Sequence, residues 1–231
     1  MIKTITFPNS RNEKIIGELK EKKTSDTLLL VGHGYKSSKN HPATATITDM
    51  LCDMGHPTFS FNFSKSASGF SLAQQVADIT DMTVYFKNYK RFVILAPSLG
   101  ALSGTLAAIN SSKISGLVTI NGFFGSGQIG LKVLKAYLLF KLIAFFPSKY
   151  RDAWQFFKKN YQPEKITCDV LVIHAKHDNQ VFISQSKDFF KKVSGRKTFH
   201  VLEKGDHHLT KESYRQEVAE TIDSWLKKKD S

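Results

Sequence analysis

Apolar positions in this chain fall into two alternating patterns. Short runs carry them two apart or continuously, and longer runs carry them on one helical stripe. The opening reads as a hairpin. Ile2, Thr4 and Phe7 mark one strand, residues 15–19 another, and Pro8, Asn9, Ser10 and Asn12 supply the turn. Residues 27–31 are a continuous run, Thr27-Leu28-Leu29-Leu30-Val31, closed by Gly32-His33-Gly34. Such a run is too short for a helix and fits a strand buried on both faces. Helical spacing follows at 42–54, 71–89, 98–110, 182–193 and 213–226. Strand-like runs at 57–63, 91–96, 114–120, 170–175 and 197–202 lie between them. Strands alternating with helices predict an α/β fold, a mostly parallel eight-stranded sheet flanked by helices.

One stretch breaks the rhythm. Residues 122–165 are rich in Phe, Leu and Lys, and 131–146 are almost wholly apolar. The stretch is too short to bury a core of its own, so it is expected to be a helical cap on a single domain spanning 1–231. A helix over 131–146 would be about 24 Å long, short of a bilayer. Lys132 and Lys135 share a face and Lys141 opposes them, which is not a clean membrane-surface stripe. Three uses of the cap remain open: a roof packed on the domain, an acyl-binding wall, or a homodimer contact. Phe123, Phe124, Phe145, Phe146 and Trp154 would supply the wall.

Composition excludes more than it assigns. Hydrophobic residues at 41% and charged residues at 23% are globular values, which argues against disorder. The net charge is +13, which raises nucleic acid as a partner. The arginines are single and scattered, at Arg11, Arg91, Arg151, Arg196 and Arg215, and the lysines form no stripe. Phosphate recognition favours clustered Arg, so no nucleic-acid partner is expected. Weak contact with an anionic membrane surface is the remaining reading of the charge. Cys52 and Cys168 are too few for a disulfide framework and read as buried thiols. With no apolar leader after Met1, a cytoplasmic protein is expected.

In an open parallel sheet, chemistry gathers at the carboxyl ends of the strands. Four ends stand out. The third strand ends in Gly32-His33-Gly34-Tyr35 and the fifth in Ala96-Pro97-Ser98-Leu99-Gly100. The seventh ends in Ala175-Lys176-His177-Asp178, and the eighth is followed by Gly205-Asp206-His207-His208. A serine at a strand–turn–helix, an aspartate and a histidine thus appear in that chain order.

Here the chain resembles the α/β-hydrolase superfamily along nearly its whole length. Ala96-Pro97-Ser98-Leu99-Gly100 resembles the nucleophile elbow G-x-S-x-G, with Ala for the first Gly. Gly32-His33-Gly34-Tyr35 resembles the H-G oxyanion loop. Phe61-Asn62-Phe63, with Gly69 and Ser71, resembles a worn D-F-x-G-x-G-x-S stretch. Asp178-Asn179-Gln180-Val181 resembles the D-x-x-V that carries the acid, and Gly205-Asp206-His207 the G-x-D-H of small bacterial esterases. Within the superfamily the chain looks most like compact feruloyl esterases, dienelactone hydrolases and monoglyceride lipases.

The resemblance implies a triad of Ser98, His207 and Asp178, and the chemistry of each agrees. A serine hydroxyl needs a base within hydrogen-bond reach. A histidine base needs an acid to fix its tautomer. The oxyanion needs two preorganised donors, here the N–H groups of Leu99 and Tyr35. Tyr35, Phe123 and Phe124 are the expected substrate-binding residues. The implied function is a carboxylesterase-type serine hydrolase acting on small or medium apolar esters through an acyl-enzyme, with no cofactor and no metal. Thioesters and peptides would suit the same triad, as would lipids at a membrane surface. Pro97, unusual before the serine, keeps a non-catalytic binding protein open.

Each residue also has a plainer reading. Ser98 could cap a helix, and so could Asp178. His208 competes with His207 as the base. His33 reads as a structural histidine. Asp78 and Asp81 are expected to face solvent or to cap a loop. His174 and His177, with Asp206, His207 and His208, offer metal-ligand types but no recognisable ligand spacing.

Overall fold

The computed structural model describes residues 1–64, 71–125 and 148–230. The strands are β1 (Ile2–Pro8), β2 (Lys14–Lys20), β3 (Thr27–Val31), β4 (Thr58–Asn62), β5 (Arg91–Pro97), β6 (Ile114–Ile120), β7 (Asp169–Ala175) and β8 (Lys197–Leu202). The helices are α1 (Pro42–Asp53), α2 (Leu72–Tyr85), α3 (Gly100–Asn110), α4 (Ser148–Asn160), α5 (Ile183–Lys192) and α6 (Glu212–Asp230). The strands form one sheet in the order β1-β2-β4-β3-β5-β6-β7-β8. β1 and β2 form the expected hairpin and β2 pairs antiparallel with β4, so the sheet is mixed. From β4 to β8 every pairing is parallel.

Alternation along each strand splits the core in two. Leu28 and Leu30 of β3, with Phe92, Ile94 and Ala96 of β5, face α2, α3 and α5. Leu29 and Val31, with Val93 and Leu95, face α1 and α6. The continuous apolar runs are therefore strands covered on both faces. The chain leaves β3 through α1 on one face, then crosses from β4 to β5 through α2 on the other. The direction of winding reverses between β3 and β5, which opens a crevice at their carboxyl ends.

The apolar stretch 131–146, with Phe145 and Phe146, lies outside the described residues, as does Gly69. From α4 onward the insertion packs on the domain. Phe157 lies in the core, with Ala153, Phe156 and Tyr161 packed around it, and Trp154 stacks on Phe157 at 5.4 Å.

Packing narrows one expectation and corrects another. Asp78 does not face solvent. It is fully buried and accepts from Asn9 Nδ2 (2.9 Å), Arg11 (2.5 Å) and the Ser64 N–H (2.8 Å). It ties the β1–β2 turn and the exit of β4 to α2, so its charge is matched inside the fold. Asp81 caps that same turn through Ser10. Phe124 is no wall facing substrate. It is fully buried and stacks on Phe189 of α5 with ring centroids 4.1 Å apart. Phe124→Ala is expected to cost about 3–5 kcal/mol of stability. Chemical denaturation of the wild type and the variant checks it.

Candidate functional site

Ser98 sits between β5 and α3 with φ at +51°. A non-glycine residue in the left-handed region stores about 1–3 kcal/mol and needs surroundings that enforce it. They are visible. The Ser98 N–H donates to Ile120 O (2.9 Å), and the Ser98 carbonyl accepts from Phe123 N (2.9 Å) and Ala101 N (3.1 Å). A Cβ on Gly100 would come within 2.9 Å of the His33 carbonyl oxygen, so only glycine fits there. One on Gly34 would come within 3.2 Å of Ser98 Cβ, which places the loop after β3 directly against the serine.

The two departures in the elbow have local explanations. Ala96 is accommodated by Gly104 of α3, where an added Cβ would lie 2.9 Å from the Ala96 methyl. Pro97 lacks an N–H, but the strand does not miss it. Leu95 O faces β3, where it accepts from Gly32 N, and the Ser98 N–H faces β6. Amides alternate sides along a strand, so the Pro97 amide would face the β3 side, where pairing has ended at Val31–Leu95.

Ser98 is not a helix cap. The N-cap position of α3 is Leu99, and Ser98 Oγ lies 3.1 Å from His207 Nε2. His207 Nδ1 lies 2.7 Å from Asp178 Oδ2. Asp178 does not cap α5, whose N-cap is Phe182. Its Oδ1 instead accepts from the N–H groups of Gln180 (2.8 Å) and Val181 (2.9 Å), which fixes the carboxylate plane. Burial alone would raise the Asp178 pKa. Hydrogen bonds from His174 and His207, attraction to His207 and the Val181 N–H outweigh it and hold the carboxyl well below the usual range. An ionised carboxylate only accepts, so His207 Nδ1 carries the proton and Nε2 is free to accept from Ser98.

The structure separates the competing histidines. His208 is exposed and pairs with Gln180 (2.7 Å) and, ring to ring, with His41 (6.1 Å). His33 is structural as expected, its Nδ1 3.0 Å from Gly34 O and its ring edge on Phe63. His177 is exposed. His174 is fully buried, with Nε2 2.9 Å from Val181 O and 3.5 Å from Asp178 Oδ2, and Nδ1 2.7 Å from Ser186 Oγ. A carbonyl only accepts, so Nε2 carries the proton and Nδ1 accepts from Ser186. No cluster of metal-ligand side chains occurs among the described residues.

The expected oxyanion donors flank the serine. Among the described residues the Leu99 N–H has no hydrogen-bond partner. Tyr35 follows Gly34 on the loop against Ser98, and its side chain is half exposed beneath Lys36 Nζ. Phe123 is partly buried, one backbone bond from Ser98. One residue was missed from sequence: Asn121, at the end of β6, is buried with φ at +49° and bonds to the His207 loop. The Asn-Gly pair at 121–122 was its only signal, a turn dipeptide at a strand end.

Residues 147–230, which carry Asp178 and His207, match the model of the prolyl oligopeptidase family. No curated protein matches the sequence. Solved structures match along the chain. Est1E from Butyrivibrio proteoclasticus aligns over 97% of this chain and 98% of its own at 15% identity, with a TM-score of 0.76. The esterase domain of a Rhodothermus marinus protein aligns over 99% and 98% at 18% identity, with a TM-score of 0.75. Mouse alpha/beta hydrolase domain-containing protein 10 aligns over 98% and 99% at 17% identity, with a TM-score of 0.75. Its sheet order, its serine turn and these likenesses show that the chain has the α/β-hydrolase fold.

Proposed function

We propose that the protein is a serine hydrolase that cleaves carboxylic esters through an acyl-enzyme on Ser98. The observation that carries this reading is the unbroken chain of contacts from Ser98 Oγ to His207 (3.1 Å) and on to Asp178 (2.7 Å). As Ser98 Oγ attacks the ester carbonyl, its proton passes to His207 Nε2. Asp178 stabilises the resulting imidazolium. The carbonyl oxygen becomes an oxyanion held by the N–H groups of Leu99 and Tyr35. Collapse breaks the ester C–O bond, and the alcohol leaves with the proton returned by His207. Water, activated by the same histidine, then releases the acid and restores Ser98.

The ester assignment is supported by the esterases among the similar structures, one of which, Est1E, is also solved with ferulic acid bound. Phe123 beside Ser98 supports an apolar acyl group of small or medium size. An acid behind a histidine serves esterases and peptidases alike, so the prolyl oligopeptidase-family match does not argue against it. A cytoplasmic location is part of the proposal, supported by the free, buried thiol of Cys52. A fluorophosphonate probe is expected to label the wild type at Ser98, mapped by mass spectrometry. A series of p-nitrophenyl esters of rising chain length should then be turned over. A well-folded protein that is neither labelled nor active on any ester overturns the reading and leaves a binding protein on a hydrolase fold.

A further inference from the structure

Asn121 joins all three segments that carry the serine, the acid and the histidine. The residue before it, Ile120, accepts from the Ser98 N–H (2.9 Å). Its own N–H donates to Ile173 O of β7 (2.9 Å). Its side-chain Oδ1 accepts from the Ala175 N–H (2.8 Å), at the end of the strand that leads to Asp178. Its Nδ2 donates to the backbone carbonyls of Asp206 and His207, both at 3.1 Å. The orientation is unambiguous, because an amide N–H faces the oxygen and two carbonyls face the nitrogen. The side chain is almost wholly buried and each hydrogen-bonding atom of its amide is used.

We propose that Asn121 is a positioning residue that sets the height of His207 over Ser98, an inference that rests on the hydrolase reading above. The loop after β8 is braced internally. Asp206 accepts from the N–H groups of His208 and Thr210 and from the Thr210 hydroxyl, and Leu209 N donates to Asp206 O. Gly205 and Leu209 seat the loop against apolar neighbours, which fixes its depth but not its direction. Side-chain bonds run from His207 to Asp178 and from His208 to Gln180, and the Asn121 amide supplies the directional link to the loop's backbone. It grips the loop at the carbonyl of the histidine itself and, through Ala175, references it to the strand of the acid. The positive φ aims the side chain across the sheet end, and asparagine tolerates that conformation better than most residues.

Two variants separate the amide from the backbone. Asn121→Gly keeps the left-handed conformation without strain and deletes the amide. Asn121→Asp keeps the shape and the Ala175 bond but turns a carboxylate oxygen toward two carbonyls. Both are expected to lower kcat on a p-nitrophenyl ester about a hundredfold, since a displacement of about 1 Å in a reacting group costs that much. KM should stay within about threefold, as no substrate contact is removed. The His207 Nδ1–H proton, assigned in the NMR spectrum by its loss in His207→Gln, should broaden or vanish in Asn121→Asp. Folded variants with wild-type kcat and an unchanged resonance overturn the proposal. If the Asp variant does not fold, the Gly variant decides alone. If the wild type hydrolyses no ester, the hydrolase reading fails, whereas the resonance still decides whether Asn121 positions His207.

Discussion

Ser98→Ala is expected to lower kcat for ester hydrolysis by about a millionfold, the loss seen when the nucleophile of a triad is removed. That is about 8 kcal/mol of transition-state stabilisation. The fold should survive, because among the described residues the hydroxyl's hydrogen-bond partner is His207 alone, and the backbone of the turn is held by bonds to Ile120 and from Phe123 and Ala101. Alanine meets the same left-handed strain as serine, so stability should change little. KM should also change little, since Leu99, Tyr35 and Phe123 remain. Adding His207→Ala to Ser98→Ala should cost almost nothing more, because residues that act as one unit are not additive. Purified variants assayed after fluorophosphonate treatment, to silence contaminating hydrolases, give the measurement. A Ser98→Ala protein that keeps a hundredth of wild-type kcat would mean that Ser98 does not carry the acyl group.

The central strands and their order of use were legible because both faces of the sheet are buried there. A run such as Leu28 to Val31 has one physical solution, a central strand, and β3, β6 and β8 fall on the expected residues. The serine, acid and histidine were legible because each stands at such a strand's carboxyl end. The resemblance already implied His207 as the base, and setting His208 aside on physical grounds needed three dimensions. Adjacent residues on a loop point apart, and only one ring reaches both Ser98 and Asp178.

What escaped the sequence depends on partners far away in the chain. Asp78 looked like one more polar helix position, yet its partners come from residues 9, 11 and 64. Phe124 and Phe123 are neighbours of one type in the sequence. One turns into the core against Phe189, and the other stays beside the serine turn. Asn121 closes a strand whose end offers no nucleophile, acid or base, so a search for reactive groups passed over it. Its importance comes from hydrogen bonds that span 54 to 86 residues. The same distance explains Pro97. Taken alone it is a strand breaker, and only the end of β3 pairing shows that no ladder bond is lost.

Asp178→Asn is the second large effect, a fall in kcat of about ten-thousandfold. The N–H groups of Gln180 and Val181 would hold the amide oxygen of the new side chain in the Oδ1 position. Its NH2 group would then face His207 Nδ1. Two donors cannot share that contact, so the imidazole must move its proton to Nε2, where it points at Ser98 and can no longer accept. Geometry is kept while the tautomer is wrong, so KM should change far less than kcat. Stability gives an independent reading. The folded Asp178 carboxyl is held below its ordinary pKa, against the pull of burial, by His174, His207 and Val181. A depressed folded pKa contributes stability that is fully present above the unfolded value of about 3.9 and is lost as pH falls through the folded one. Asparagine has no such contribution at any pH. The stability gap between wild type and variant, measured by urea unfolding, should therefore be smaller at about pH 3 than at about pH 7. An Asp178→Asn enzyme within tenfold of wild-type kcat, or a gap that widens in acid, would remove Asp178 from its place behind His207.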